Sequence, residues 1–145
     1  MILQPHFRLS VAVLFTVLIA SALVALSEEQ SKQKWTAPAA EAQKKNPVAA
    51  TEASLAAGQK IYSKTCFMCH GKTGDADGPA VIELNIHPAK LSDPKLETES
   101  DGALFWKITT GKKPMPAYGK RLSETNRWHL VNYIRTLPTR QHPAA

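Results

Sequence analysis

The chain has 145 residues, which corresponds to one domain with additional segments. Lys and Arg outnumber Asp and Glu, 18 to 12, so the formal net charge is +6 and the isoelectric point is about 9.4. Because the sequence contains no basic helix, zinc module or alternation of aromatic and basic residues, we interpret this charge as a solvated basic face for acidic protein partners and exclude nucleic acid.

An uncharged apolar run occupies residues 9–26, with Arg8 before it and two glutamates after it. This asymmetry keeps the N-terminus on the cytoplasmic side of a membrane. A signal peptide and an uncleaved anchor both contain such a run, but its 18 residues would span about 27 Å as a helix, which favours the anchor. We therefore assign residues 1–27 to a hydrophobic anchor helix, or to a signal peptide whose cleavage leaves a soluble periplasmic chain. Both place the rest on the periplasmic side of a bacterial inner membrane.

Residues 28–50 are rich in Ala, Lys, Gln, Glu and Pro and show no helical or strand period. This composition predicts a flexible linker with a reach of about 25 Å, from roughly 5–6 Å times the square root of its length. Such a linker would let an anchored domain move between partners, which again favours the anchor. The main domain follows at residues 51–140, and residues 141–145 form a short tail.

The domain opens with a predicted helix over residues 52–66, in which apolar residues fall near one face. Gly58 lies inside this helix, where glycine costs about 1 kcal/mol relative to alanine. We expect another helix to approach closely at this point. Tyr133, on the last predicted helix, is the expected contact of Gly58 and Tyr62.

The first helix leads into Cys66-Phe67-Met68-Cys69-His70. Two cysteines three apart, followed at once by a histidine, have the spacing of covalent haem attachment. Each thiol adds to one vinyl group on the same porphyrin edge, so the sulfurs must lie about one helical turn apart, and His70 then lies under the ring as an axial iron ligand. The second ring nitrogen of His70 needs an acceptor that fixes its tautomer, and we predict the carbonyl of Pro79.

Other interpretations of the cysteine pair are a thioredoxin-like dithiol, a structural disulfide or half of a zinc site. A thioredoxin-like motif needs a βαβ context, and no strand-rich stretch precedes Cys66. A closed zinc site usually uses four ligands, and Cys66 and Cys69 are the only cysteines.

Residues 71–79 contain three glycines and two aspartates and are predicted to form a loop. Their Asp-x-Asp-Gly pattern lacks the glutamate of a calcium loop at the required spacing, so we give calcium little weight. Asp101 is predicted to cap a short helix that Gly111 ends. Apolar side chains for the haem pocket lie between the loop and this helix: Val81, Ile82, Leu84, Ile86 and Leu91.

Met115 lies between two prolines on a stiff, non-helical segment that leaves its thioether little conformational freedom. Methionine is a soft ligand, and Met/His ligation raises the haem potential. The ordinary role of a methionine is to fill a core. Among rival sixth ligands, Met68 lies on the His70 side, Met1 lies across the linker, and His87 would reach only if its loop folded over the distal face.

Residues 123–137 predict the clearest amphipathic helix, with Ser123 as N-cap and Pro138 as the stop. Five basic residues flank Met115 in sequence and are predicted to form a basic rim near the haem edge: Lys112, Lys113, Lys120, Arg121 and Arg127. Such a rim suits transient docking on an acidic redox protein.

These features together resemble the class I c-type cytochromes, in the small single-haem bacterial branch, over residues 52–137. The matching motifs are Gly58 with Tyr62, Cys66–His70, Gly78-Pro79, Pro114-Met115-Pro116, and the last helix with Trp128 and Tyr133. The resemblance implies an all-α cytochrome c fold, with three main helices plus loops wrapped around one covalent haem c. It also implies His70/Met115 ligation, a place for Trp106 near a haem propionate, and an electron carrier that is not an enzyme and takes no small-molecule substrate.

Three alternatives remain beside a free electron carrier. In the first alternative the chain is the cytochrome subunit of a larger oxidoreductase complex. The sequence alone does not distinguish such a subunit from a free carrier. A peroxidase-like haem enzyme would need a displaceable sixth ligand and a distal acid/base group, for which only His87 is available. A gas sensor would need a signalling output domain, and nothing in the sequence resembles one.

Overall fold

Helices dominate residues 35–141, the part of the chain that the computed structural model describes. In chain order they are α1 (Ala39–Ala42), α2 (Glu52–Thr65), α3 (Phe67–His70), α4 (Ala80–Glu83), a 3-10 helix (Pro94–Thr98), α5 (Asp101–Thr110) and α6 (Glu124–Gln141). Within these residues no strand is present, and one isolated bridge joins Lys112 to Met115. The all-α prediction is confirmed for this part of the chain, and α2, α5 and α6 are its longest helices.

The pairing of the first and last long helices matches the prediction. Thr51 caps α2, because its hydroxyl accepts a hydrogen bond from the Ser54 backbone N–H at 3.2 Å. Gly58 lies where α6 crosses, and a Cβ added to it would lie 2.2 Å from the carbonyl oxygen of His129. One turn further on, the rings of Tyr62 and Tyr133 pack with centroids 5.2 Å apart.

Two helix ends differ from the prediction. Ser100, and not Asp101, is the N-cap of α5: its hydroxyl accepts the backbone N–H of Ala103 at 3.2 Å. α6 starts after Ser123 as predicted but runs through Pro138 to Gln141. A proline removes only one backbone donor and crowds the preceding turn. Because Leu137 and Pro138 are both buried, we attribute the continuation of the helix to their packing.

The core lies between α2, α5, α6 and the segments that flank them. Its buried members are Tyr62, Leu91, Leu104, Phe105, Ile108, Tyr118, Trp128, Leu130, Val131, Tyr133, Ile134 and Leu137. Of the apolar residues predicted after the glycine-rich loop, Leu91 belongs to this cluster. Ile82 and Leu84 are 91% and 59% exposed, so neither packs in the core of the chain itself.

Residues 37–50 pack on the domain and do not behave as the flexible linker that the composition predicts for 28–50. A Cβ on Gly102 would lie 2.2 Å from the carbonyl oxygen of Glu41, and the Ser100 hydroxyl donates to the Ala42 carbonyl at 2.6 Å. The side-chain amide N–H of Asn46 donates to the side-chain oxygen (Oδ1) of Asn132 on α6 at 2.7 Å. These contacts are made by polar and backbone groups, so they leave no apolar period in the sequence.

In residues 35–141 no helix combines the length and apolar character needed to cross a bilayer. The predicted anchor at residues 1–27 and the tail at residues 142–145 lie outside the described part of the chain.

Candidate functional site

The haem-attachment segment forms a single helical turn directly after α2. Cys66 ends α2, because its N–H donates to the Tyr62 carbonyl at 2.9 Å. The N–H groups of Cys69 and His70 both donate to the Cys66 carbonyl, at 3.2 and 3.0 Å. Cys66 and Cys69 therefore lie one helical turn apart, as thioether attachment requires. Both are half-buried free thiols, and burial raises the pKa of the Cys66 thiol to about 11.

His70 is held by a backbone carbonyl, but not by the predicted one. Its Nδ1 lies 2.9 Å from the carbonyl oxygen of Ala89 and donates to it. Pro79 is the N-cap of α4, and the described residues show no hydrogen bond from His70 to its carbonyl. Nε2 is then the free nitrogen of His70. Burial lowers the pKa of His70, opposed by the Ala89 hydrogen bond, and so favours the neutral imidazole that binds metals.

Two tyrosine hydroxyls form hydrogen bonds on either side of the attachment segment. Neither hydrogen bond was predicted from the sequence. Tyr62 donates to the carbonyl of Gly71, the residue after His70, at 2.8 Å. Tyr118 donates to the carbonyl of Thr65, the residue before Cys66, at 2.9 Å. Burial raises the pKa of both phenols, so both remain donors at neutral pH.

The segment that carries Met115 is fixed at both ends. Lys112 and Met115 exchange backbone hydrogen bonds of 3.1 and 2.9 Å. After Met115, the N–H groups of Tyr118 and Gly119 donate to the last turn of α5, at the carbonyls of Ile108 and Thr109, both at 3.0 Å. Gly111 starts the segment with φ +62, a conformation that glycine adopts without strain.

Met115 and the attachment segment meet the same core cluster. Met115, Cys66 and Phe67 are each partly buried and pack against it. Of the rival ligands in the described residues, Met68 is 43% exposed and His87 is exposed. Trp106 is half-buried on α5, and its role toward a propionate stays a prediction.

The basic rim has four of its five predicted members on the surface. Lys112, Lys113, Lys120 and Arg121 are exposed, and within residues 35–141 none of them forms an ion pair. Arg127 is the exception: it is 9% exposed, its guanidinium lies 4.6 Å from the Phe105 ring centroid, and it donates to the Thr109 hydroxyl. Its place on the rim was a wrong prediction, because sequence spacing does not show which face of α6 packs on α5.

The donor groups of the described residues fit a covalent haem. In the described part of the chain, no three His, Cys, Asp or Glu side chains are arranged to hold a metal ion. Two thiols, one oriented imidazole and one thioether on a fixed segment are the groups that attach and ligate a c-type haem.

Comparison with known proteins decides the family. The family model described as "Cytochrome C oxidase, cbb3-type, subunit III" matches residues 53–134. The chain belongs to this family. It is a small mono-haem c-type cytochrome with a covalent haem c, and an electron-transfer protein rather than an enzyme.

Curated relatives and a solved structure agree with this assignment. The chain is 35% identical over 81 residues to cytochrome c6 of Alaria esculenta, covering 54% of this chain and 86% of that protein. It is 31% identical over 82 residues to cytochrome c6 of a Synechococcus species, covering 57% and 69%. A chain of the Kuenenia stuttgartiensis reducing HAO-like protein complex superposes with a TM-score of 0.55 and 32% identity. That match covers 63% of this chain and 46% of the neighbour, so it spans less than half of the neighbour's length.

Proposed function

We propose that this cytochrome carries single electrons between redox proteins on the periplasmic side of a bacterial inner membrane. In this proposal Cys66 and Cys69 attach the haem, His70 binds the iron through Nε2, and Met115 is the sixth ligand. The attached haem supplies Fe(III)/Fe(II) chemistry, with no coordination position open to a substrate. The observation that carries the ligand assignment is the hydrogen bond from His70 Nδ1 to Ala89, which leaves Nε2 for the metal.

The chain's own residues limit how far the ligands move between oxidation states. Ala89 fixes the tautomer and the ring angle of His70. Met115 lies between two prolines and closes the backbone-bonded turn with Lys112. Trp106 is proposed to donate its indole N–H to a propionate. Small rearrangement on electron transfer is what a carrier requires.

Replacement of Met115 tests the ligation. The oxidised holoprotein is expected to show the weak near-infrared band of a thioether bound to ferric haem. Met115→Ala should abolish this band and lower the reduction potential, because Met/His ligation raises it. Met68→Ala is the matched control, since Met68 is exposed within the attachment segment. A band that persists in Met115→Ala would refute the assignment.

The partner of this carrier is proposed to present an acidic surface. Four basic residues around the Met115 segment are exposed and form no ion pair within residues 35–141, and we name them the Met-loop basic surface: Lys112, Lys113, Lys120 and Arg121. Like charges placed together attract an acidic partner and orient it during diffusion.

A second candidate function is a subunit of a larger oxidoreductase. The description of the matching family names a subunit, and the solved neighbour belongs to a complex. The size of the native haem-containing species separates the candidates. A free carrier migrates near its own mass of 15.9 kDa, whereas a subunit is recovered in a larger assembly after mild detergent extraction.

The same proposal includes the anchor at residues 1–27. It is supported by the uncharged run at residues 9–26 and by the charges on its two sides. An anchored protein is expected to fractionate with membranes and to resist extraction by high salt, because apolar attachment is not screened. Mass spectrometry that finds a soluble chain starting near Glu28 would replace the anchor by a signal peptide.

A further inference from the structure

We propose that Tyr118 is a positioning residue that keeps the Met115 thioether at the iron by tying the Met115 segment to the residue before Cys66. The inference rests on the proposed Met115 ligation and extends it to a residue whose described hydrogen bonds involve neither His70 nor Met115.

The backbone of Tyr118 is held by hydrogen bonds at both its N–H and its carbonyl. Tyr118 is 7% exposed, and its N–H donates to the Ile108 carbonyl of α5 at 3.0 Å. Its own carbonyl accepts the N–H groups of Arg121 and Leu122, at 3.0 and 2.9 Å. The backbone of Tyr118 therefore belongs to the frame of the domain, three residues after Met115.

The hydroxyl of Tyr118 joins this frame to the attachment segment. It donates to the Thr65 carbonyl across 53 positions of sequence. Within residues 35–141 no other hydrogen bond connects residues 111–119 with residues 65–71. Thr65 ends α2, and the last carbonyls of a helix have no partner inside it. Tyr118 satisfies one of these carbonyls and in doing so fixes the separation between the Met115 segment and Cys66.

Tyr62 provides an internal comparison. Its hydroxyl donates to the Gly71 carbonyl at 2.8 Å, at the other end of the attachment segment. Neither partner of that bond belongs to the Met115 segment, so displacement of Met115 is expected to leave the bond intact. The two tyrosines therefore make similar hydrogen bonds, to carbonyls that flank the same five residues, and only the one from Tyr118 spans both ligand segments.

The affinity for exogenous imidazole measures this difference between the two hydrogen bonds. Exogenous imidazole binds ferric haem by displacing Met115, and the Met115 segment must then move. If that movement breaks the hydrogen bond from Tyr118 to Thr65, the bond favours the Met115-bound state, and its removal favours the imidazole-bound state by the same factor. The loss of one such bond corresponds to about a tenfold change in affinity. A bond that is intact in both states has no effect on imidazole affinity.

The experiment compares Tyr118→Phe with Tyr62→Phe in the full-length holoprotein. Imidazole is titrated into the ferric form while the near-infrared thioether band is followed, and thermal unfolding is measured separately. Both variants are expected to unfold at lower temperature than the wild type. Tyr118→Phe should bind imidazole about tenfold more tightly, and Tyr62→Phe should bind it like the wild type.

Three outcomes have different meanings. If Tyr118→Phe binds imidazole no better than Tyr62→Phe, the positioning role is wrong while the Met115 ligation stands. If the wild type lacks the thioether band, the ligation fails and this inference fails with it. If Tyr118→Phe does not retain haem, site-specific 3-fluorotyrosine at position 118 replaces it. As a stronger donor of similar shape, it should weaken imidazole binding, and an unchanged affinity would refute the role.

Discussion

Gly58 and Tyr133 meet where α2 crosses α6, so closely that no side chain fits between them. A Cβ built on Gly58 would lie 2.7 Å from the Tyr133 Cβ and 2.2 Å from the His129 carbonyl oxygen. Most of the buried core lies along these two helices and α5. Because the attachment segment continues directly from α2, the crossing also places the haem cysteines relative to the core.

Gly58→Ala is expected to destabilise the protein, although alanine is the better helix former. Propensity alone would stabilise α2 by about 1 kcal/mol, but overpacking a tight contact costs about 1–3 kcal/mol and backbone atoms cannot move aside cheaply. The net change should be a lower midpoint in chemical denaturation of the holoprotein. Gln59→Ala, on the exposed side of the same turn, is the control and should be nearly neutral. A stabilised Gly58→Ala would mean that the helices separate without cost.

Asn132 is expected to be a costly polar side chain to remove from α6. It is 7% exposed, and its amide donates to the Val48 carbonyl at 3.0 Å and to the Ser54 hydroxyl at 2.9 Å. Asn132→Ala leaves both acceptors without this donor, which costs about 1–3 kcal/mol. Trypsin should also cleave this variant faster after Lys44 and Lys45, because residues 37–50 lose a contact with α6. Asn126→Ala, on the exposed start of α6, should change neither stability nor digestion; equal digestion of both variants would contradict the packing of residues 37–50.

Features that depend on local sequence patterns could be predicted from the sequence, whereas most long-range polar contacts could not. The attachment segment and the Ser123 cap depend on residues a few positions apart, so their spacing predicted them. The helix crossing at Gly58 is a long-range contact, and the glycine inside a predicted helix indicated it. Ala89 reaches His70 only because the chain folds back across 19 positions, and nothing in the residue type of alanine marks a carbonyl acceptor. Asn46 and Asn132 are 86 positions apart. Polar pairs of this kind follow from the packed fold and leave no periodic signal.

Asp75 should make the stability depend on pH in the acidic range. Hydrogen bonds from Thr73 and Ser92, at 2.7 Å each, and the Lys90 ammonium lower the pKa of its carboxyl to about 2. A carboxyl with a lowered folded-state pKa stabilises the fold above its unfolded value and loses this contribution as the pH falls toward the folded value. The difference in melting temperature between wild type and Asp75→Asn should therefore be constant above about pH 5, and most of it should be lost as the pH falls to about 2.

Thr73→Val is the partial control for Asp75, because it removes one of the donors and keeps the carboxyl. It should show the same pH profile with a smaller amplitude. If the melting temperatures of wild type and Asp75→Asn differ by the same amount from pH 7 to about pH 2, the stabilisation by Asp75 does not come from its charged carboxylate.

The Met-loop basic surface is expected to control which reagents react fastest with the haem. Lys112→Glu/Lys113→Glu reverses two exposed charges on the segment that carries Met115. Oxidation of the reduced protein by anionic ferricyanide should slow by about three- to tenfold at low ionic strength, whereas oxidation by a cationic cobalt phenanthroline complex should accelerate. Both effects should disappear at about 0.5 M salt, where the Debye length is only a few ångströms. The control, Lys60→Glu/Lys95→Glu, changes the net charge equally at two other exposed positions. If the control alters both rates as much, net charge decides the kinetics and the surface around Met115 has no special part in docking.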